Sequence, residues 1–265
     1  MSQWGYGKLN GPETWKMSYP AAKGDSQSPI NIIVNKTEFE SELFQKKLNI
    51  KINSDYSAEQ ILNHTGHSFK VETSVDSMTV TNAPGFNNDV FKLVQFHFHW
   101  GSIGNDNGSE HQINGKSWPS ELHLVHYNST KYSNFTEAAN KPDGLLVLGV
   151  FIQIAGKNLE FQNFIQCLET IQADLKVNLK DKNSKINLKY LLPINTDRYF
   201  TYSGSLTTPP CYESVTWIVF EYPITMSREQ IERFRKVHSE DGCETAANFR
   251  PVCPINDRKV KRSFR

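Results

Sequence analysis

The sequence predicts a mainly β fold in a single domain over residues 1–265. Three observations lead there. Stretches in which apolar and polar residues alternate recur near 60–71, 76–82, 90–100, 120–127, 144–154 and 214–221, with another near the C-terminus; a period of two is the pattern of a half-buried strand. Helical spacing is confined to two segments. No linker, repeat or low-complexity run marks a boundary, so one large domain is favoured over two small ones.

The strand at 90–100 ends in Gln95-Phe96-His97-Phe98-His99-Trp100. Successive side chains of a strand point to opposite faces, so Gln95, His97 and His99 share one face and Phe96, Phe98 and Trp100 the other. The aromatic face is suited to a core that keeps the strand rigid. In Ser120-Glu121-Leu122-His123-Leu124-Val125-His126, Glu121, His123 and Val125 fall together, opposite Leu122, Leu124 and His126. The first helix is predicted from Asn158 to Ala173, where Leu159, Phe164, Ile165, Leu168 and Ile171 have helical spacing. The second opens on the capping box Ser227-Arg228-Glu229-Gln230 and runs towards Val237.

Two histidines on one strand face can hold one metal ion. An antiparallel pairing of the two strands adds His123, and three imidazoles leave one tetrahedral position of Zn²⁺ open, as catalytic sites do. Gln95 and Glu121 stand two residues before His97 and His123, with the parity to accept the second ring N–H of each ligand. His111 and His126 have the wrong position or parity for the metal and are expected to be buried and hydrogen-bonded.

The strings QFHFHWG, GSEH, ELHLVH and GSLTTPP, in this order, resemble the α-class carbonic anhydrases, closest in pattern to the cytosolic animal forms. So do WGYG…NGPE, QSPINI, PDGLLVLGVF, VTWIVF and NFRP, and the likeness covers nearly the whole chain. The resemblance implies a large, mostly antiparallel twisted β-sheet with short peripheral helices (α+β). It implies the reversible hydration of carbon dioxide to bicarbonate and a proton through zinc-bound hydroxide, with His97, His99 and His123 as the ligands. Zinc lowers the pKa of its water to about 7, a magnitude that comes from carbonic anhydrase itself.

The same resemblance assigns Thr207 and Glu110 to orienting the hydroxide. A threonine hydroxyl has one proton, and giving it to a carboxylate leaves only acceptor capacity towards the metal. Thr208 is implied on the substrate side, and Val125, Val147, Leu206, Val215 and Trp217 as the apolar wall for carbon dioxide. Gly66-His67-Ser68-Phe69 matches the family's proton-relay segment, making His67 the relay and His64 a surface residue. Lys70 and Thr65 depart from the residues usual at the cavity rim, where an uncharged polar residue and asparagine are common.

A net charge of +1 gives no reason to expect nucleic acid or an anionic membrane surface. The longest apolar run, Leu145 to Ile154, is too short to span a bilayer. The N-terminus lacks the basic and apolar regions of a secretory signal, so a cytoplasmic monomer is expected; secretion is the alternative if a leader is missing. Five Asn-x-Ser/Thr sequons begin at Asn35, Asn63, Asn107, Asn128 and Asn134, but in a chain this rich in those residues they decide little. Cys167 reads as a core thiol, while Cys243 and Cys253 flank a loop. Secreted relatives pair a cysteine at the position of Cys211 with one before QSP; Ala21-Ala22-Lys23 stands there, so reduced thiols are the simpler expectation, with a pairing of Cys211 to another cysteine as the alternative. The basic tail Arg258 to Arg262 reads as a solvated terminal strand.

Two rivals from other classes are a metal-free binding module, which lacks a ligand histidine in the family, and a zinc esterase. All three histidines, Glu110 and Thr207 are present, and no nucleophile elbow occurs.

Overall fold

The computed structural model describes residues 4–53, 58–74, 76–168, 176–180, 184–236 and 247–265. In chain order the elements are α1 (Pro12–Ser18), β1 (Asn31–Ile32), β2 (Glu38–Phe39), α2 (Ser41–Gln45), β3 (Asn49–Ile52), β4 (Gln60–His64), β5 (Phe69–Thr73), β6 (Met78–Thr81), β7 (Phe91–Trp100) and β8 (Gln112–Ile113). There follow β9 (Ser120–Asn128), α3 (Phe135–Ala138), β10 (Leu145–Ile154), α4 (Leu159–Leu168), β11 (Lys176–Asn178), β12 (Tyr199–Gly204), β13 (Val215–Phe220), β14 (Ile224–Met226), α5 (Arg228–Phe234) and β15 (Lys261–Arg262). The mainly β expectation holds, and the helices are short.

One 13-stranded sheet has the spatial order β11-β4-β5-β7-β9-β10-β13-β12-β15-β2, with β3, β6 and β14 attached beside this path. Its pairings are antiparallel except where β10 meets β13 and β14, and where β15 meets β2. The parallel β10–β13 pair explains why residues 145–151 read as an almost unbroken apolar run: a central strand is covered on both faces. Leu146, Leu148, Val150 and Ile152 enter the larger apolar cluster, while Leu145, Val147 and Phe151 enter the smaller one on the other face.

The larger cluster also takes Phe91, Leu93, Phe96, Phe98 and Trp100 from β7. Phe91 and Leu93 are odd-numbered, whereas Phe96, Phe98 and Trp100 are even. A register shift between Leu93 and Gln95 reconciles them: the extra residue of a bulge flips the parity, keeps the aromatic side chains in the core and turns Gln95, His97 and His99 to the other face. Truncating a side chain such as Phe98 to alanine costs about 3–5 kcal/mol in a core of this kind.

Several expectations need correction. The stretch 60–71 is not one strand but the hairpin β4–β5, broken at Gly66, whose φ of 79° is open to glycine with little strain. The predicted helix 158–173 is α4 in its described part, and its last residues lie outside the described ones. The capping box at Ser227 is present as predicted and opens α5, which ends at Phe234; Val237 lies outside the described residues. The basic tail is less solvated than expected. β15 is paired on both sides, Lys259 and Lys261 bind Glu38 and Glu40, and the Arg262 guanidinium donates to Thr37 Oγ1 at 2.7 Å. Asn128 is fully buried and donates to Asp89 Oδ2 at 2.7 Å, so this sequon is closed in the folded chain. Cys211 and Cys253 are free thiols, Cys167 packs against the larger cluster, and Cys243 lies outside the described residues.

Candidate metal centre and active site

β7 and β9 pair antiparallel with His97 opposite His123. Residues in register project to the same face, so His97, His99 and His123 converge as the alternation predicts. Their ring centroids lie 5.0, 5.3 and 4.6 Å apart, and one nitrogen from each lies within 4.8 Å of the others.

Each ring has its second nitrogen tied up. His97 Nδ1 is 2.9 Å from Gln95 Oε1, His123 Nε2 is 2.7 Å from Glu121 Oε1, and His99 Nδ1 is 2.7 Å from the Asn248 carbonyl oxygen. All three partners are acceptors, so each ring donates there. That leaves lone pairs on His97 Nε2, His99 Nε2 and His123 Nδ1. Burial, and then the repulsion a proton on His97 would meet from protons on His99 and His123 and from Lys70, push the His97 pKa well below its ordinary value; burial also lowers that of His99. Neutral imidazoles are the ligand form.

Two buried polar atoms beside these lone pairs have no hydrogen-bond partner: His99 Nε2 and Glu110 Oε2, 3.4 Å apart. Buried polar groups are almost always satisfied. The unpartnered His99 Nε2, grouped with one nitrogen each of His97 and His123, fits a divalent cation, and the unpartnered Glu110 Oε2 is open to a hydrogen-bond donor. The other oxygen of Glu110 accepts from the Arg250 N–H at 2.8 Å, which fixes the carboxylate.

The three histidines line a cavity of about 320 Å³. Val125, Val147, Leu206 and Trp217 give it an apolar side, and Thr207 and Thr208 reach it from the segment after β12. Ser205, at the start of that segment, is pinned by a two-way exchange with Ser28: Ser28 N donates to Ser205 Oγ at 2.9 Å and Ser205 N to Ser28 Oγ at 3.0 Å. Thr65, His67, Lys70 and Gln95 lie on the β4–β5 side. Glu110 and Glu121 sit behind the lining, and Val215, buried in the same apolar cluster as Trp217, does not reach it.

The sequence, its motif order and this constellation agree with a direct comparison: a family model for eukaryotic-type carbonic anhydrase matches residues 10–264. The chain belongs to that family. It is 42% identical to Carbonic anhydrase 7 of Homo sapiens over 268 residues, covering 99% of this chain and 97% of that protein. With Carbonic anhydrase 7 of Mus musculus it is 42% identical over 266 residues, covering 98% and 97%.

In this carbonic anhydrase a second group, His111, Glu121 and His123, also brings three ligating atoms together. It suits a metal less well, because its atoms are already engaged. Glu121 Oε1 is 2.7 Å from both His111 Nδ1 and His123 Nε2, and Glu121 Oε2 accepts from the His111 N–H at 2.8 Å. Burial opposes ionisation of Glu121, but the two histidines outweigh it and hold the carboxyl well below its ordinary range. His111 is thus the buried, bonded histidine expected. His126 is too, with Nδ1 3.0 Å from the Leu124 carbonyl oxygen.

His64 corrects an expectation. It is 1% exposed, not a surface residue, and its Nδ1 accepts from the Gly66 N–H at 3.1 Å. His67 sits half-buried in the turn, its ring centroid 4.3 Å from that of Trp4. Sequence reasoning also missed Asn248. Its carbonyl orients His99, its Oδ1 accepts from Trp100 N at 2.7 Å, and its Nδ2 donates to Ser68 Oγ. The NFRP string was its only signal.

Proposed function

We propose that this carbonic anhydrase reversibly hydrates carbon dioxide to bicarbonate and a proton, as a single-domain monomer in the cytoplasm, with Zn²⁺ held by His97 Nε2, His99 Nε2 and His123 Nδ1. The observation that carries the reading is the convergence of these lone pairs, each fixed by a bonded partner on the opposite ring nitrogen, at the base of a half-apolar cavity. Bound there, zinc supplies a nucleophile at neutral pH by making water far more acidic. Three neutral ligands leave its full charge to act.

The protein's own residues do the rest. Gln95, Glu121 and the Asn248 carbonyl orient the ligand rings. Val125, Val147, Leu206 and Trp217 hold the apolar substrate and limit water; Val215 supports them from behind. Thr207 gives its hydroxyl proton to Glu110 Oε2, the buried oxygen that lacks a donor, and so faces the reacting oxygen as an acceptor only. Thr208 completes the polar side. His67 carries the released proton out, since histidine is the side chain suited to proton relay near neutrality. The cytoplasmic assignment is supported by the free thiols of Cys211 and Cys253.

Metal analysis of the purified protein tests the reading. Near-stoichiometric zinc, with hydration lost on chelation and restored by zinc, is expected; stable protein without bound zinc would favour a binding module.

A further inference from the structure

Lys70 carries the one full charge on the cavity lining: among the described residues no other Lys, Arg, Asp or Glu reaches it. The sheet fixes its place. Lys70 on β5 is in register with His97, and His97 with His123, so the three form one cross-strand row on one face. The row continues outward through Asn63 to Lys176.

The counter-charge lies two residues further along β5. Glu72, in register with Gln95, has Oε1 2.9 Å from Lys70 Nζ and Oε2 3.7 Å from Lys176 Nζ. Burial opposes its ionisation, but Lys70 outweighs this and holds the carboxyl below its ordinary value. Glu72 does not line the cavity. One carboxylate shared by two ammonium groups leaves a net positive charge, and the half that faces the cavity is Lys70. The opposite wall is apolar and offers nothing to cancel it.

We propose that Lys70 is a specificity-determining residue that recruits small monovalent anions, bicarbonate among them, to the metal from the β5 side. This rests on the function proposed above. The equilibrium between carbon dioxide and bicarbonate fixes the ratio of kcat/KM in the two directions. Lys70 therefore acts on the bicarbonate KM and on product retention, not on that ratio.

The test uses the full-length protein loaded with Co²⁺, whose visible absorption reports ligand binding directly, in three forms: unaltered, Lys70→Gln and Glu72→Gln. Thiocyanate is the anionic probe and 1,2,4-triazole the neutral one. Lys70→Gln is expected to weaken thiocyanate about two- to five-fold, the size of a partly exposed charge interaction, and to raise the bicarbonate KM. Glu72→Gln is expected to strengthen thiocyanate, because it removes the counter-charge and leaves Lys70. Triazole affinity should hold in both. If both variants shift thiocyanate in the same direction, or triazole moves in step with it, the pair only fastens β5 and the proposal fails. Failure of the unaltered protein to bind Co²⁺ would instead overturn the metal-site reading, and this proposal with it.

Discussion

Glu121 Oε1 accepts hydrogen bonds from two different histidines, His123 Nε2 and His111 Nδ1, each at 2.7 Å. One oxygen thereby fixes a metal-facing ring and a ring behind it. The second ring is anchored in turn, since His111 Nε2 lies 2.6 Å from the Tyr202 hydroxyl. Glu121→Gln keeps the shape but turns an amide NH2 towards the His111 N–H that Glu121 Oε2 now accepts. Zinc affinity should fall by about 10–100-fold, measured as the zinc dissociation rate against a chelator. Unchanged dissociation would remove Glu121 from the metal's support.

The Thr207 assignment predicts a joint effect. An aromatic sulfonamide should bind as its anion and donate its remaining N–H to Thr207. Thr207→Val should weaken that binding by about ten-fold or more, the loss of a charge-assisted hydrogen bond, and should slow hydration as well. Inhibitor titration and steady-state rates check both, and no change in either would refute the gatekeeper role.

His67→Ala should lower the exchange rate by at least about ten-fold in weak buffer, with much of it regained on adding imidazole. His64→Ala should behave differently: its ring is buried and bonded to the turn, so the variant should lose stability with no rescue by imidazole. Oxygen-exchange rates, with thermal melts alongside, separate the two. Imidazole rescue of the His64 variant alone would reverse the assignment.

His126 gives a pH prediction. Burial lowers its pKa to about 4, whereas the unfolded chain holds it near its ordinary value. Between about pH 6.5 and 4 the unfolded state binds the proton and the folded state does not. This contribution is complete above that window and is lost as pH falls through it. The total is on the order of 3 kcal/mol. His126→Asn should flatten the stability profile across this range and keep zinc bound. A profile as steep as that of the unaltered protein would contradict the burial argument.

The strand faces of Gln95 to Trp100 and Ser120 to His126 were legible because alternation is a local signal, and they placed the three histidines together. Asn248 was not legible, because its bond to His99 joins residues 149 positions apart and leaves no periodic trace. The parity of β7 was readable from Gln95 onward but not through Val94, where a bulge restores the core face. His64 was misread as exposed because the resemblance gave the relay role to His67 and left His64 to the surface; the parity of β4, which puts His64 on the face of the buried Gln60 and Leu62, points to burial. The cation at the rim was visible as Lys70; only the register with His97 and the sharing of Glu72 with Lys176 show which way its charge acts.

The most direct test of the account is stopped-flow hydration of carbon dioxide by the zinc-loaded protein, with His123→Ala measured alongside. The account predicts a rate far above the uncatalysed one in the unaltered protein and nearly complete loss in the variant. An unaltered protein at the background rate, or a variant with full activity and no bound metal, would contradict it.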